Sequence, residues 1–125
     1  MHALRNVHRA LIAGGDMLDL HPIPPDQLIE AAGEPLGRID ERPFFDVVRA
    51  AEQALRRLEG EGLFQQQVEL EFDFLQRYER RRDLLDHLDE RDDCRLPRAL
   101  RRRIERADAP LDVRVRAVIR RFVSR

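Results

Sequence analysis

Histidines are the side chains in this sequence best suited to acid–base chemistry near neutral pH, and there are four of them: His2, His8, His21 and His87. None lies two or four residues from another histidine, and no pair of them has zinc-ligand spacing with a carboxylate or with Cys94. The sequence therefore predicts no metal site. Most of these histidines are expected to be structural or exposed.

His21 is the exception, because Asp19 lies two residues before it near the end of a short predicted strand, residues 17 to 21. Residues i and i+2 of a strand point to the same face, so Asp19 can orient the imidazole ring of His21. Open α/β sheets bind ligands at the carboxyl ends of their strands. Asp19 and His21 are therefore the candidate ligand-binding residues, against the alternative of a purely structural histidine.

Nucleophilic and Schiff-base chemistry have few candidates. All 23 basic residues are arginine, and the chain contains no lysine and no threonine. The single serine, Ser124, lies one residue from the end, where a preorganised oxyanion site is hard to build. Cys94 is the single cysteine and can form neither an internal disulfide nor a cysteine metal cage. No catalytic residue is predicted. The arginine bias itself has two explanations, a GC-rich genome or selection for bidentate recognition of phosphates and carboxylates.

Charge is unevenly distributed along the 125 residues. Residues 1 to 94 carry 12 arginines and 21 acidic residues, a net charge of −9, whereas residues 95 to 125 carry 11 and 3, a net charge of +8. The basic segment could bind nucleic acid, or it could pack against the acidic remainder of its own chain. The second interpretation is favoured, because Tyr78 is the only tyrosine, tryptophan is absent, and stacking aromatics are therefore scarce.

The elements that must position these residues follow from hydrophobic periodicity and from Gly and Pro breaks. A first helix over residues 3 to 13 is followed by the strand at 17 to 21 and by a hairpin whose strands, 28 to 31 and 36 to 39, flank Gly33. Asp40 is expected to cap the next helix. That helix is predicted at residues 41 to 59. It is followed by a strand at 66 to 78, by two short helices at 83 to 91 and 97 to 107, and by a last strand at 112 to 123.

Two long segments alternate with period two. In residues 66 to 78 we expect a buried face formed by Val68, Leu70, Phe72 and Phe74, and in residues 112 to 123 one formed by Val113, Val115, Ala117 and Ile119. We predict that these strands are antiparallel neighbours. That pairing would place the acids Glu69, Glu71 and Asp73 opposite the arginines Arg114, Arg116 and Arg120.

The segment ALRNVHRALIAGGDMLDLHP, residues 3 to 22, resembles the region before and through the fifth strand of class I S-adenosylmethionine-dependent methyltransferases. The usual form there is HRxLxPGG. His8, Arg9, Leu11, Gly14 and Gly15 match it, whereas Ala13 stands where the family has proline. The later order of helix, strand, two short helices and strand is similar to the closing elements of that family, in which the last two strands pair antiparallel.

What this resemblance implies about activity is mostly negative. The family's glycine-rich cofactor loop and the acidic residue that ends its second strand would both lie upstream of the residues present, and no GxGxG occurs in the chain. Gly14 and Gly15 follow a helix and precede a strand, so they present no helix N-terminus to a ligand. The resemblance therefore implies the C-terminal half of a methyltransferase, with no cofactor and no complete activity in this single chain.

The resulting prediction is one domain over residues 1 to 125, an α/β fold with a mixed, largely antiparallel sheet and three to four helices, similar to the C-terminal half of a Rossmann-like methyltransferase. The predicted function is that of a non-catalytic interaction or regulatory protein. One alternative is a small-ligand-binding or substrate-side half of a two-chain methyltransferase, whose partner chain supplies the glycine-rich half. A second alternative is an arginine-rich nucleic-acid-binding module.

The strand at 17 to 21 is expected to have an open edge, because the parent fold flanks it with a parallel strand that this chain does not contain. Open edges need charge, proline, a covering element or a partner. Either residues 28 to 39 fold back over the edge, or the chain forms a homodimer through residues 3 to 39, which we favour. No apolar run reaches the roughly 18 residues of a membrane span, and no signal pattern begins the sequence, so a cytoplasmic location is expected.

Overall fold

A computed structural model describes residues 15 to 125 of the chain, and the helix predicted at residues 3 to 13 lies outside them. The described elements are five strands and three helices. In chain order they are β1 Asp16–Pro22, β2 Leu28–Ala31, β3 Glu34–Arg38, α1 Arg42–Gly60, β4 Phe64–Tyr78, α2 Arg81–Glu90, α3 Arg98–Arg106 and β5 Leu111–Ser124. The predicted α/β class and helix number are confirmed.

The strands form one sheet in the order β1-β5-β2-β3, and β4 also pairs with β5. β2 is antiparallel to both β3 and β5. β1 is antiparallel to β5 as well, since the amide of Ser124 donates to the carbonyl of Gly15 and the amide of Ile23 to the carbonyl of Arg116. The sheet is thus antiparallel, in agreement with the largely antiparallel sheet that was predicted.

Side-chain ion pairs fix the register of β4 against β5. Arg120 pairs with Glu69 at 2.8 Å, Arg116 with Asp73 at 3.3 Å, and Asp112 with Arg77 at 3.0 Å. Each step of four residues forward along β4 is matched by a step of four backward along β5, which is the relation that antiparallel pairing requires. The predicted pairing is confirmed.

One arginine of the predicted set has a different partner. Arg114 binds Glu30 of β2 at 2.7 Å. This follows from β5 having β2 as a second neighbour beside residues 111 to 114, which the sequence pattern did not indicate.

The chain divides into two compact units. The first contains the described residues up to His21 together with Asp46–Phe72 and Ala117–Arg125, and the second contains Pro22–Phe45 and Asp73–Arg116. β4 and β5 contribute residues to both.

The core of the second unit forms between its two short helices and the strands β2 and β5. Leu84 and Leu88 of α2, and Leu100 and Ile104 of α3, are spaced four residues apart and so share one face of each helix. They pack with the buried side chains Ile29, Ile39, Leu111, Val113 and Val115. The hairpin β2–β3 is confirmed; its turn contains Ala32 and Gly33, both with positive φ, and its second strand begins at Glu34.

The core of the first unit lies under the C-terminal half of α1. Leu55 and Leu58 pack there against Phe64 and Phe122. The predicted cap of this helix is confirmed, since the amide of Arg42 donates to Oδ1 of Asp40 at 3.2 Å. The apolar stripe of α1 is only partly covered, however, because Val47 in its N-terminal half is 67% exposed.

The buried face predicted for β4 is wrong. Val68, Leu70 and Phe74 are 52%, 58% and 41% exposed. In the first unit the reason is geometric: Phe122 and Arg120 point toward α1, and the alternation of a strand sends Val68 and Leu70 to the opposite side, where none of the described elements covers them.

The edge of β1 is not covered by residues 28 to 39. Those residues form the hairpin that pairs with β5 instead, so β1 ends the order of the described strands. Gly15 and Ile23 direct their backbone groups at β5, and by alternation the amides of Asp16, Leu18 and Leu20 point away from it.

Candidate functional site

Asp19 and His21 are brought together as the sequence predicts. Both project from the same face of β1, and Nδ1 of His21 lies 3.0 Å from Oδ1 of Asp19. Nε2 of His21 lies 3.1 Å from Oε1 of Glu52, a residue of α1 that the sequence analysis did not single out. Its signal was weak: Glu52 is a carboxylate beside the apolar stripe of α1, one of many acids on predicted helices.

Arg120 of β5 completes the cluster. Its Nη1 donates to Oε1 of Glu52 at 2.8 Å and its Nε to Oε1 of Glu69 at 2.8 Å, while Oδ2 of Asp19 lies 3.9 Å from Nη1. The side chains of Arg120 and His21 are only 15% and 16% exposed. We call Asp19, His21, Glu52, Glu69 and Arg120 the His21 cluster.

Both ring nitrogens of His21 face a carboxylate oxygen. A carboxylate without a proton only accepts hydrogen bonds, so His21 can donate to Asp19 and to Glu52 at once only as the imidazolium. Partial burial acts to raise the pKa of Glu52, but the hydrogen bonds and charges of Arg120 and His21 outweigh it, and the pKa is lowered. Burial likewise acts to lower the pKa of Arg120, yet hydrogen bonds to Glu69 and Glu52 raise it.

Three members of the His21 cluster line a groove between β1 and α1. Its volume is about 300 Å³. Asp19, His21 and Glu52 supply its polar atoms, and its apolar walls are formed by Met17, Leu18, Val47, Val48, Ala51 and Leu55. An apolar concavity with a few convergent polar groups is the usual form of a small-molecule site.

Two carboxylate oxygens of the groove make no hydrogen bond to any described residue. Asp19 uses Oδ1 for His21, and Glu52 uses Oε1 for both His21 and Arg120. Oδ2 of Asp19 has only the 3.9 Å contact to Arg120, which is too long for a hydrogen bond, and Oε2 of Glu52 is likewise available. Each can accept a hydrogen bond from a ligand.

The two candidate nucleophiles of the sequence lie outside the groove. Neither Cys94 nor Ser124 lines it, and burial raises the pKa of the Cys94 thiol, which makes the reactive thiolate scarcer. Ser124 is buried at the end of β5. Within residues 15 to 125 no group of three or more His, Cys, Asp or Glu side chains is arranged to hold a metal ion.

No helix in the described part of the chain is long and apolar enough to cross a membrane. No protein-family model, curated protein or solved structure matches this chain.

Proposed function

We propose that this protein is a non-catalytic interaction protein with a methyltransferase-like origin, and that it acts as a homodimer. The observation that carries the proposal is the exposed apolar face formed by Leu18 and Leu20 of β1 and Val68 and Leu70 of β4. We call it the bare face. The order of helix, strand, two helices and strand that follows the β2–β3 hairpin agrees with the order that the resemblance to methyltransferases implies.

The bare face is costly to leave in water. Leu18 and Leu20 are 67% and 61% exposed, and Val68 and Leu70 more than half exposed. Fully burying one such side chain contributes about 1.5 to 3 kcal/mol relative to full exposure. Clustered exposed apolar side chains on a sheet are typical of an interaction surface, whereas isolated ones are ordinary.

A second copy of the chain is the occupant that this face suits. Two sheets pack face to face at about 10 Å, and an isologous dimer places the same side chains on both sides of its axis. Arg121 and Asp16 alternate onto the bare face and pair with each other at 2.9 Å, each about half exposed. Opposite charges on one surface are self-complementary across a two-fold axis.

Sedimentation equilibrium at tens of micromolar tests the proposal. The wild type should have about twice the monomer mass of 14.7 kDa, and the variant Leu20→Glu/Leu70→Glu should be monomeric. Leu75→Glu is the matched control, because Leu75 is 50% exposed on the alternate side of β4 and its substitution should leave the dimer intact. A monomeric wild type, or a dimer that survives Leu20→Glu/Leu70→Glu, would refute the homodimer.

The open edge of β1 favours a second candidate, the substrate-side half of a two-chain methyltransferase. The amides of Asp16, Leu18 and Leu20 could pair with a strand from a chain that supplies the glycine-rich half. The test is co-purification with a chain encoded beside this gene that carries such a loop. A 1:1 complex that binds S-adenosylmethionine, where neither chain does alone, would establish this candidate.

A further inference from the structure

We propose that the groove between β1 and α1 binds a small organic cation, an ammonium or guanidinium group on a compact apolar body. The groove's polar groups project from the face of β1 opposite Leu20, whereas Leu18 belongs both to the groove lining and to the bare face. The dimer test substitutes Leu20 and Leu70, neither of which lines the groove, so amine binding and dimer formation are tested independently.

The charge balance of the His21 cluster determines the sign of the ligand. Asp19, Glu52 and Glu69 carry three negative charges, and Arg120 carries one positive charge. The cluster has a net charge of −1 when His21 is the imidazolium and −2 when it is neutral. In both states a cation is attracted and an anion repelled, and the low exposure of Arg120 and His21 reduces solvent screening.

The available acceptors determine the polar group. Oδ2 of Asp19 and Oε2 of Glu52 need donors, and an ammonium or guanidinium supplies several N–H groups and no competing acceptor. Such charge-assisted hydrogen bonds are roughly twice as strong as neutral ones. A bare metal ion fits less well, because hydrocarbon side chains make up most of the lining.

The apolar lining determines the rest of the ligand. Val47 and Val48 are exposed or half-buried on α1 and line the groove with Met17 of β1. A volume of about 300 Å³ accommodates roughly ten water-sized groups at about 30 Å³ each. A phenyl ring with a two-carbon amine arm is of this size.

Isothermal titration calorimetry of the full chain with 2-phenylethylammonium chloride tests the proposal. Saturable binding is expected in the millimolar range or tighter, with 2-phenylethanol and 3-phenylpropanoate each weaker by about tenfold or more, since they lack the charge-assisted donors. Equal binding of the alcohol or the carboxylate, or no saturation by the amine, would overturn the proposal.

Two variants locate the site. Glu52→Gln removes charge from the groove and should weaken amine binding by about tenfold. Asp46→Asn is the control on the same helix, because Asp46 is not among the residues that line the groove and should not affect binding. Ala51→Trp fills the groove without altering a charge and should abolish binding. It keeps the test decisive if Glu52→Gln does not fold.

Deleting residues 1 to 13 tests whether the chain's own N-terminal segment occupies the groove. If the amine binds only after the deletion, the chain's own N-terminal segment is the occupant and the proposed ligand is wrong. If the full chain binds the amine and Ala51→Trp does not, the proposal stands.

Discussion

Glu41, the residue before α1, is fully buried although it is charged. Its Oε1 accepts a hydrogen bond from the amide of Gln27 at 2.7 Å, and its Oε2 accepts one from Arg91 at 3.1 Å. Burial raises the pKa of the Glu41 carboxyl, and these two hydrogen bonds and the charge of Arg91 offset only part of that increase. The ion pair joins the start of α1 to the end of α2 within the second unit.

Arg91→Met should destabilise the protein by about 3 to 5 kcal/mol at neutral pH, because it removes the positive charge that pairs with the buried Glu41 carboxylate. A carboxyl whose pKa is raised on folding stabilises the fold below its unfolded value, near 4.5, and loses that contribution as the pH rises through its folded pKa. The difference from wild type should therefore narrow as the pH falls.

Urea unfolding of the wild type and of Arg91→Met, from neutral pH down to the unfolded pKa of the carboxyl, measures the difference in the free energy of unfolding. Glu41→Gln/Arg91→Met, which removes both charges, should recover part of the lost stability. A difference that is independent of pH would contradict the assignment.

At the scale of elements, β5 connects the sheet through its arginines. Arg120 lies among three carboxylates and is 15% exposed, whereas Arg116 pairs with Asp73 and is 36% exposed. Both residues are arginines of β5. Substituting each in turn therefore compares the stability contribution of a largely buried ion pair with that of a more exposed one.

Arg120→Met should lower the free energy of unfolding by about 2 to 3 kcal/mol, because Glu52 and Glu69 each lose a charged hydrogen bond. Arg116→Met should cost less than about 1 kcal/mol, as exposed pairs do. Thermal and urea unfolding measure both. Equal losses would show that burial does not distinguish the two pairs.

The contact between β3 and α3 depends on Gly37. Its φ of +150° is rare for residues with side chains, and an added Cβ would lie 3.2 Å from Cδ1 of Leu100. Gly37→Ala should therefore destabilise by about 1 to 2 kcal/mol, from strain and overpacking.

Gly60→Ala is the control for this substitution. A Cβ at the end of α1 meets nothing within 4 Å, so its stability should be unchanged or raised by up to about 1 kcal/mol. Denaturant melts of the two variants give the comparison, and a neutral Gly37→Ala would mean that β3 and α3 shift without cost.

At the scale of the whole molecule, the opposite charges of the two chain segments meet within the fold. The arginines of β5 pair with acids from the acidic part of the sequence: Glu30, Glu52, Glu69, Asp73 and Asp16. These pairs give an intramolecular role to four of the eleven arginines of the basic segment: Arg114, Arg116, Arg120 and Arg121. These arginines do not form the free basic cluster that a nucleic-acid-binding module would need.

S-adenosylmethionine should not bind the isolated chain at micromolar concentration. The sequence has no GxGxG loop to cradle the cofactor. Calorimetry with the isolated chain measures this. Saturable micromolar binding would contradict the prediction, and Asp19→Asn and His21→Ala would then be the first variants to examine.

The sequence by itself determined the local features of this protein. Periodicity and turn residues predict the β2–β3 hairpin and the helices α1, α2 and α3. The Asp40 cap follows from hydrogen-bonding groups that are close together in the chain. The proximity of Asp19 and His21 follows from the period of two in a strand. The pairing of β4 with β5 was predictable because acids and arginines alternate in matching registers.

Only the tertiary structure decided which face of β4 is covered and which residues join His21. Periodicity shows that a strand has two faces, but the helix that covers one of them is positioned by contacts between distant residues. Glu52 and Arg120 are 31 and 99 positions beyond His21 in the sequence. They meet it because α1 packs on the face of the sheet where Phe122 lies, and no local pattern specifies that choice.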